Sequence, residues 1–143
     1  MKKKIVILGS TGSIGTNTLS IIRKNKQNFN IKLLSTNKNI TKIVQQAREF
    51  KVQNVIIIDH DKYLLAKKKY KKLNINFFNS FSIINNLFKK KEIFYSMVSV
   101  IGMDGLKPSL QLIKYTKSVA IVNKESIICG WNLIKKELIK YNT

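Results

Sequence analysis

The sequence predicts an α/β fold, a doubly wound parallel sheet with helices on both faces. Three observations predict it. Short β-branched apolar runs alternate with longer amphipathic stretches along all 143 residues, and that order builds a parallel sheet covered by helices. The first run, Lys4-Ile5-Val6-Ile7-Leu8, is apolar without alternation, as a strand buried on both faces is. It opens directly on glycines spaced Gly9-x-x-Gly12-x-x-Gly15, where a strand turns into a helix around a phosphate.

The glycine turn is a variant of the dinucleotide fingerprint and makes the predicted fold Rossmann-like. Gly9 turns the chain off the strand, Gly12 lets backbone approach a pyrophosphate, and Gly15 lets helix pack on strand. Free N–H groups and the helix dipole attract negative charge there. Ser10, Thr11 and Ser13 add hydroxyl donors. A turn whose glycines serve packing alone is the structural alternative.

The remaining elements follow in order. Strand two is predicted over 29–36. A helix is predicted over 40–50, with Ile40, Ile43, Val44, Ala47 and Phe50 at helical spacing. Strand three covers 54–59, a basic helix 61–72, a short strand 75–78 and a further helix 80–90. A buried strand over 97–101 leads to a helix over 104–115, in which Pro108 is tolerable only in the first turn. A strand over 119–122 and a helix over 126–141 complete the alternation. Ligands of such a sheet bind at the carboxyl ends of its strands, where loops 9–13, 36–39, 102–105 and 123–125 fall.

Composition bounds the function. Residues 1–143 are of single-domain size, with room for a real core. No apolar run has membrane-spanning length, and strand one follows three lysines at once, so no signal peptide is expected. The single Cys129 allows no internal disulfide, suits a reducing, cytoplasmic setting and reads as a free structural thiol. The net charge is +20, yet Arg23 and Arg48 are the only arginines among 27 basic residues. Lys, Asn and Ile belong to AT-rich codons, which accounts for much of the charge. The clusters Lys67-Lys68-Lys69, Lys71-Lys72 and Lys89-Lys90-Lys91 lack interleaved arginine and aromatic stacking residues. They read as solvated faces rather than as a nucleic-acid surface, although a basic nucleic-acid-binding module stays open as an alternative.

An NAD site usually carries an acid after strand two, for the ribose 2′-OH. Here that position reads Ser35-Thr36-Asn37-Lys38-Asn39, with no acid before Glu49. Lys38 supplies a cation and its neighbours supply hydrogen bonds, the chemistry a 2′-phosphate needs. Asp59-His60-Asp61 invites a metal reading, but a site needs three or more convergent ligands, and no metal is assigned.

Several segments resemble one family. Gly9-Ser10-Thr11-Gly12-Ser13-Ile14-Gly15, Lys38-Asn39 and Ala47-Arg48-Glu49-Phe50 look like 1-deoxy-D-xylulose 5-phosphate reductoisomerases, in order and spacing. Val122-Asn123-Lys124-Glu125-Ser126 matches that family's A-N-K-E-S segment and is the most specific of these. The nucleotide domain of another NADP-dependent oxidoreductase would share the turn but not this last segment.

The resemblance implies an NADPH-binding domain of an enzyme that rearranges and reduces 1-deoxy-D-xylulose 5-phosphate in non-mevalonate isoprenoid biosynthesis. It implies that Thr11, Gly12, Ser13 and Ile14 hold the NADPH phosphates. Asn37, Lys38 and Asn39 lie at the adenosine end, Asn123 and Glu125 near the nicotinamide, and Lys124 contacts the sugar phosphate. Many members carry Gly where this chain has Asn37, a residue that tolerates positive φ. The sequence stops at Thr143, before the family's D-S-E-H segment, whose carboxylates bind a divalent metal: magnesium, manganese or cobalt. The resemblance therefore places no catalytic residue within this chain and leaves the catalytic and C-terminal domains outside it. It also implies a cytoplasmic homodimer for the intact enzyme.

Overall fold

The computed structural model describes residues 1–143. Six strands form one sheet in the order β4-β3-β2-β1-β5-β6, and every pairing is parallel. The strands are β1 Lys3–Leu8, β2 Phe29–Thr36, β3 Asn54–Ile57, β4 Asn76–Phe78, β5 Ile93–Val98 and β6 Thr116–Ile121. The helices are α1 Ser13–Lys24, α2 Ile40–Phe50, α3 His60–Lys69, α4 Ile84–Leu87, α5 Leu106–Ile113 and α6 Lys124–Tyr141. The chain works outward from β1 to β4 and then returns to pair β5 on β1's other side, so the order reverses between β1 and β5. Ligand crevices form at such a switch point.

The central strand shows why the fold is two-sided. Ile5 and Ile7 pack into one cluster with Leu19, Ile43, Val44 and Val55. Val6 and Leu8 pack into a second with Leu33, Ile84, Val98 and Leu112. Side chains alternate faces along a strand, so a run apolar at every position needs helices on both sides, and it has them. In β2 that alternation breaks. Ile5 pairs with Ile31 but Val6 pairs with Leu33, skipping Lys32. This irregularity puts Ile31 and Leu34 on one face, and Asn54 Nδ2 donates to the displaced Lys32 carbonyl at 3.3 Å.

Several predicted bounds move. The strand expected at 97–101 is Ile93–Val98, because Tyr95 to Val98 pair with both β1 and β6 while Val100 and Ile101 run past the sheet edge. The helix expected over 80–90 is a 3-10 turn, Phe81–Ile83, followed by the short α4. Extended backbone at Phe88 ends α4 and places its ring in the core. Pro108 does sit in the first turn of α5. Cys129, expected as a free structural thiol, is free and exposed: the inward positions of α6 are Ser126, Gly130 and Ile134.

Candidate functional site: a crevice at the carboxyl edge

The glycines divide their labour as the turn requires. Gly9 has φ +78°, and a Cβ there would lie 2.5 Å from the Ser99 carbonyl oxygen, so the turn is both left-handed and pressed against the chain leaving β5. A Cβ on Gly15 would lie 2.4 Å from the Gly9 oxygen and 2.5 Å from Ser10 Cα. A Cβ on Gly12 would meet only the Gly9 oxygen, at 3.5 Å, an ordinary contact. Gly12 is therefore the glycine that the protein's own packing leaves free to be something larger.

Beside this turn lies a cavity of about 380 Å³, lined by Gly9, Thr11 and Gly12, by residues 35–39, and by Ile58, Phe81, Ser99, Val100, Ile101 and Asp104. A second cavity of about 270 Å³ is lined by Ile14, Ser99, Val100, Ile101, Val122, Asn123, Lys124 and Glu125. Ser99 to Ile101 belong to both, so the two adjoin as one trough from Lys38 to Lys124. Thr11, Gly12, Asn37, Lys38 and Asn39 line the first part, and Ile14, Asn123, Lys124 and Glu125 the second. Ser13 opens α1, exposed.

Hydrogen bonds join the turn to the loop after β2. Gly9 N–H donates to Ser35 Oγ at 2.9 Å and Ser10 N–H to the Ser35 carbonyl at 2.9 Å. The Thr11 and Thr36 hydroxyls bond at 2.7 Å, and Asn39 N–H donates to Thr36 Oγ1 at 3.3 Å. From α2, Lys42 Nζ donates to the Thr11 carbonyl and Gln46 Nε2 to the Ser10 carbonyl, each at 2.9 Å. Lys42 and Gln46 stand one helical turn apart and were not singled out in the sequence. A polar Gln46 within the apolar face of α2 was the available signal.

Three expectations change. Ser10 is fully buried, and its hydroxyl donates to Gln46 Oε1 at 2.7 Å rather than facing the crevice. Asn37 needs no positive φ, since Lys51 and Asn142 alone among non-glycine residues have it. An acid does reach the loop after β2, though through space: Asp59, beyond β3, lies 3.7 Å from Lys38 Nζ. Asp59 also caps α3 by accepting the Lys62 N–H at 3.0 Å. That bond first, and Lys38 after it, hold its carboxyl below the usual carboxylate range. Its neighbour His60 bonds Asn79 Oδ1 through Nδ1 at 2.9 Å. The Asp59-His60-Asp61 run is thus a helix start.

At the other end, Asn123 is 7% exposed and caps α6, accepting the Ser126 N–H at 2.7 Å. Its amide donates to the Val100 carbonyl at 2.5 Å and to the Gly102 carbonyl. The side chain fixes the trough's wall, with both amide hydrogens engaged.

Electrostatics separate the helix starts. α3 and α6 carry Asp61 and Glu125 in their first turns, which offset the positive helix end. α1 and α2 carry no acid there, and Gly12 offers α1 no side-chain cap. Two positive helix ends therefore open on the first cavity, which suits an extended polyanion.

Known proteins share this arrangement. A profile of the 1-deoxy-D-xylulose 5-phosphate reductoisomerase family matches residues 5–130. The reductoisomerase of Pelagibacter ubique is 51% identical over 142 residues, 99% of this chain and 37% of that protein. That of Clostridium tetani is 37% identical over 137 residues, 94% of this chain and 36% of its own length. A solved Zymomonas mobilis reductoisomerase in complex with NADPH superposes with a TM-score of 0.90 at 25% identity, over all of this chain and 38% of that one. A DOX-P reductoisomerase in complex with NADPH, fosmidomycin and magnesium superposes with a TM-score of 0.87 at 25% identity, over 97% of this chain and 34% of the other. The chain thus spans little more than a third of the length of these relatives. With residues 5–130 matched, it belongs to the 1-deoxy-D-xylulose 5-phosphate reductoisomerase family.

Proposed function

We propose that this chain holds NADPH for a reductoisomerase that isomerises 1-deoxy-D-xylulose 5-phosphate and reduces the product to 2-C-methyl-D-erythritol 4-phosphate. The observation that carries the reading is the trough, where the two acid-free helix starts meet a glycine turn that leaves room at Gly12. Thr11, Gly12, Ser13 and Ile14 take the pyrophosphate, Asn37, Lys38 and Asn39 the adenosine end, and Glu125 with the Asn123-braced loop the nicotinamide end. Lys124, at the exposed start of α6, supplies a cation for the sugar phosphate. The bound cofactor supplies hydride. Trough continuity from Lys38 to Lys124 supports one molecule lying along both cavities.

No three His, Cys, Asp or Glu side chains of this chain stand together for a metal ion. We assign the divalent metal and the catalytic carboxylates of the whole enzyme to the additional length its relatives have. We propose, from the family resemblance alone, that the whole enzyme is a cytoplasmic homodimer; no helix of this chain is long and apolar enough to cross a membrane. The lysine clusters sit away from the trough, at the end of α3 and before β5. One of them has a structural task, since Lys91 Nζ donates to the Tyr141 carbonyl at 2.7 Å and to the Asn142 carbonyl, at the end of α6.

Nuclear magnetic resonance titration tests the reading. NADPH should shift the amides of residues 10–14, and unchanged shifts at saturating cofactor would sink the proposal. Gly12→Val should abolish binding while leaving the fold intact, because the new side chain has room in the protein but fills the pyrophosphate's approach. A second measurement concerns turnover. This chain with NADPH, substrate and manganese should oxidise no cofactor above blank, and turnover at ordinary enzyme rates would place the catalytic groups here.

A further inference from the structure

We propose that Lys42, which is bonded to the glycine turn and lies outside the lining of both cavities, is a second phosphate-binding cation beside the trough, and that it carries most of the preference for a ribose 2′-phosphate. This rests on the dinucleotide reading above. Lys42 is the third residue of α2, which Asn39 caps. A cation in the first turn opposes the helix dipole, and no acid of α1 or α2 offsets it there. A charge placed against its local field marks a position where something other than folding sets the residue.

The ammonium is already held in place. Nζ donates to the Thr11 carbonyl at 2.9 Å, at the centre of the glycine turn, and the side chain is half-buried. An ammonium has three donors, so two remain for a ligand. No carboxylate neutralises it: the ion pairs are Lys4–Glu92, Arg23–Glu49, Lys26–Glu49 and Lys38–Asp59. Lys38 differs on both counts. Its side chain is 67% exposed and already faces Asp59. A phosphate reaching Lys38 competes with a carboxylate and must order a mobile chain, whereas Lys42 requires neither. The competing role is that of a clip, with Lys42 and Gln46 simply tying α2 to the turn. Both roles use the same hydrogen bond, and only charge separates them.

Calorimetry on the full chain separates them, with NADPH, NADH and 2′,5′-ADP as probes. Lys42→Gln keeps a donor for the Thr11 carbonyl but removes the charge. It should weaken NADPH and 2′,5′-ADP by about tenfold and NADH by less than about twofold. It should also flatten the salt dependence of NADPH binding. Lys42→Arg should restore most of the loss. Lys38→Ala should cost NADPH only about threefold, since the exposed Lys38 already faces Asp59 and has less charge to give a phosphate. Equal losses for NADPH and NADH in Lys42→Gln, or no loss at all, would make Lys42 a clip and overturn the proposal. Equal wild-type affinity for NADPH and NADH would overturn it too. A wild-type chain that binds none of the three probes would instead overturn the dinucleotide reading, and Lys42 with it.

Discussion

α1, in the half of the sheet built on β1 and β2, and α6, in the half built on β5 and β6, both begin at the carboxyl edge, but in opposite states. α6 begins with a capping Asn123, an acid at Glu125 and an amide bound to the Val100 and Gly102 carbonyls. α1 begins with a glycine, no side-chain cap and no acid, and α2 carries Lys42 where an acid would be favourable. α6 thus satisfies its own start and α1 leaves its start for an anion, while α2 is capped by Asn39 without an acid and α5 has neither cap nor acid. The packing of the two halves differs as well. In the first half the buried run Ile5 to Leu8 forms β1 while α1 leaves Ile14 and Ile21 exposed, and the second half leaves more, namely Ile101, Ile128, Trp131 and Leu133. The contrast teaches that the uncapped, acid-free start of α1 beside a glycine turn is open to an anion in a way that the capped, acid-bearing start of α6 is not.

Gly15→Ala breaks the comparison hardest. Alanine is the better helix residue by about 1 kcal/mol. The added Cβ, however, would lie 2.4 Å from the Gly9 oxygen and 2.5 Å from Ser10 Cα, both backbone atoms that cannot step aside. Overpacking of that kind costs about 3 kcal/mol or more. The clash wins, and denaturant unfolding should show a net loss of about 2 kcal/mol or more at unchanged m. A stabilised variant would mean that the turn is looser than a cofactor cradle has to be.

Asn123→Ala acts on the other half and should do less. It removes the α6 cap and the donors to the Val100 and Gly102 carbonyls. Cap loss is worth about 1 kcal/mol, and water can reach a loop at the sheet edge, so a total of about 1–1.5 kcal/mol is expected. NADPH should still shift the amides of residues 10–14. Loss of those shifts would show that the halves do not act separately.

The halves also differ in how well the sequence foretells them. β2 and α2 have the predicted bounds, Phe29–Thr36 and Ile40–Phe50, because polar residues bound the short apolar segment of β2, the helical spacing of α2 is uninterrupted and a capping Asn39 marks the boundary. β5 lies earlier than predicted, because Ile93 and Tyr95 follow directly on lysines predicted to end a helix, and pairing with β1 and β6 recruits them. The helix expected over 80–90 fails for a similar reason, Phe88 being worth more in the core than in another helical turn. In the trough, the glycine turn and residues 123–125 were legible because they are contiguous motifs. Asp59 beside Lys38 was not, since a parallel register across β2 and β3 brings them together. Nothing in the sequence marks Lys42, because its bond to the Thr11 carbonyl joins residues distant in sequence.

The smallest effect concerns what holds α1 and α2 side by side. Arg23 Nε and Nη2 donate to the two Glu49 oxygens at 2.5 and 2.9 Å, and Lys26 Nζ lies 3.3 Å from Oε1. The Arg23 hydrogen bonds chiefly, with Lys26 adding, push the Glu49 carboxyl from 4.5 down to about 2. A value lower in the folded state means that the fold binds the proton less well than the unfolded chain does. The contribution is therefore complete above about pH 4.5 and disappears as the pH falls towards 2. Both side chains are substantially exposed, Arg23 at 50% and Glu49 at 33%, so water screens the pair to about 1 kcal/mol at most. Glu49→Gln should lose about 0.5–1 kcal/mol of stability at pH 7 in low salt, and less in high salt. Denaturant unfolding followed across pH should show the gap between wild type and Glu49→Gln constant above pH 4.5 and closing below it. A gap that persists at pH 2 would place the effect in packing between α1 and α2 rather than in charge.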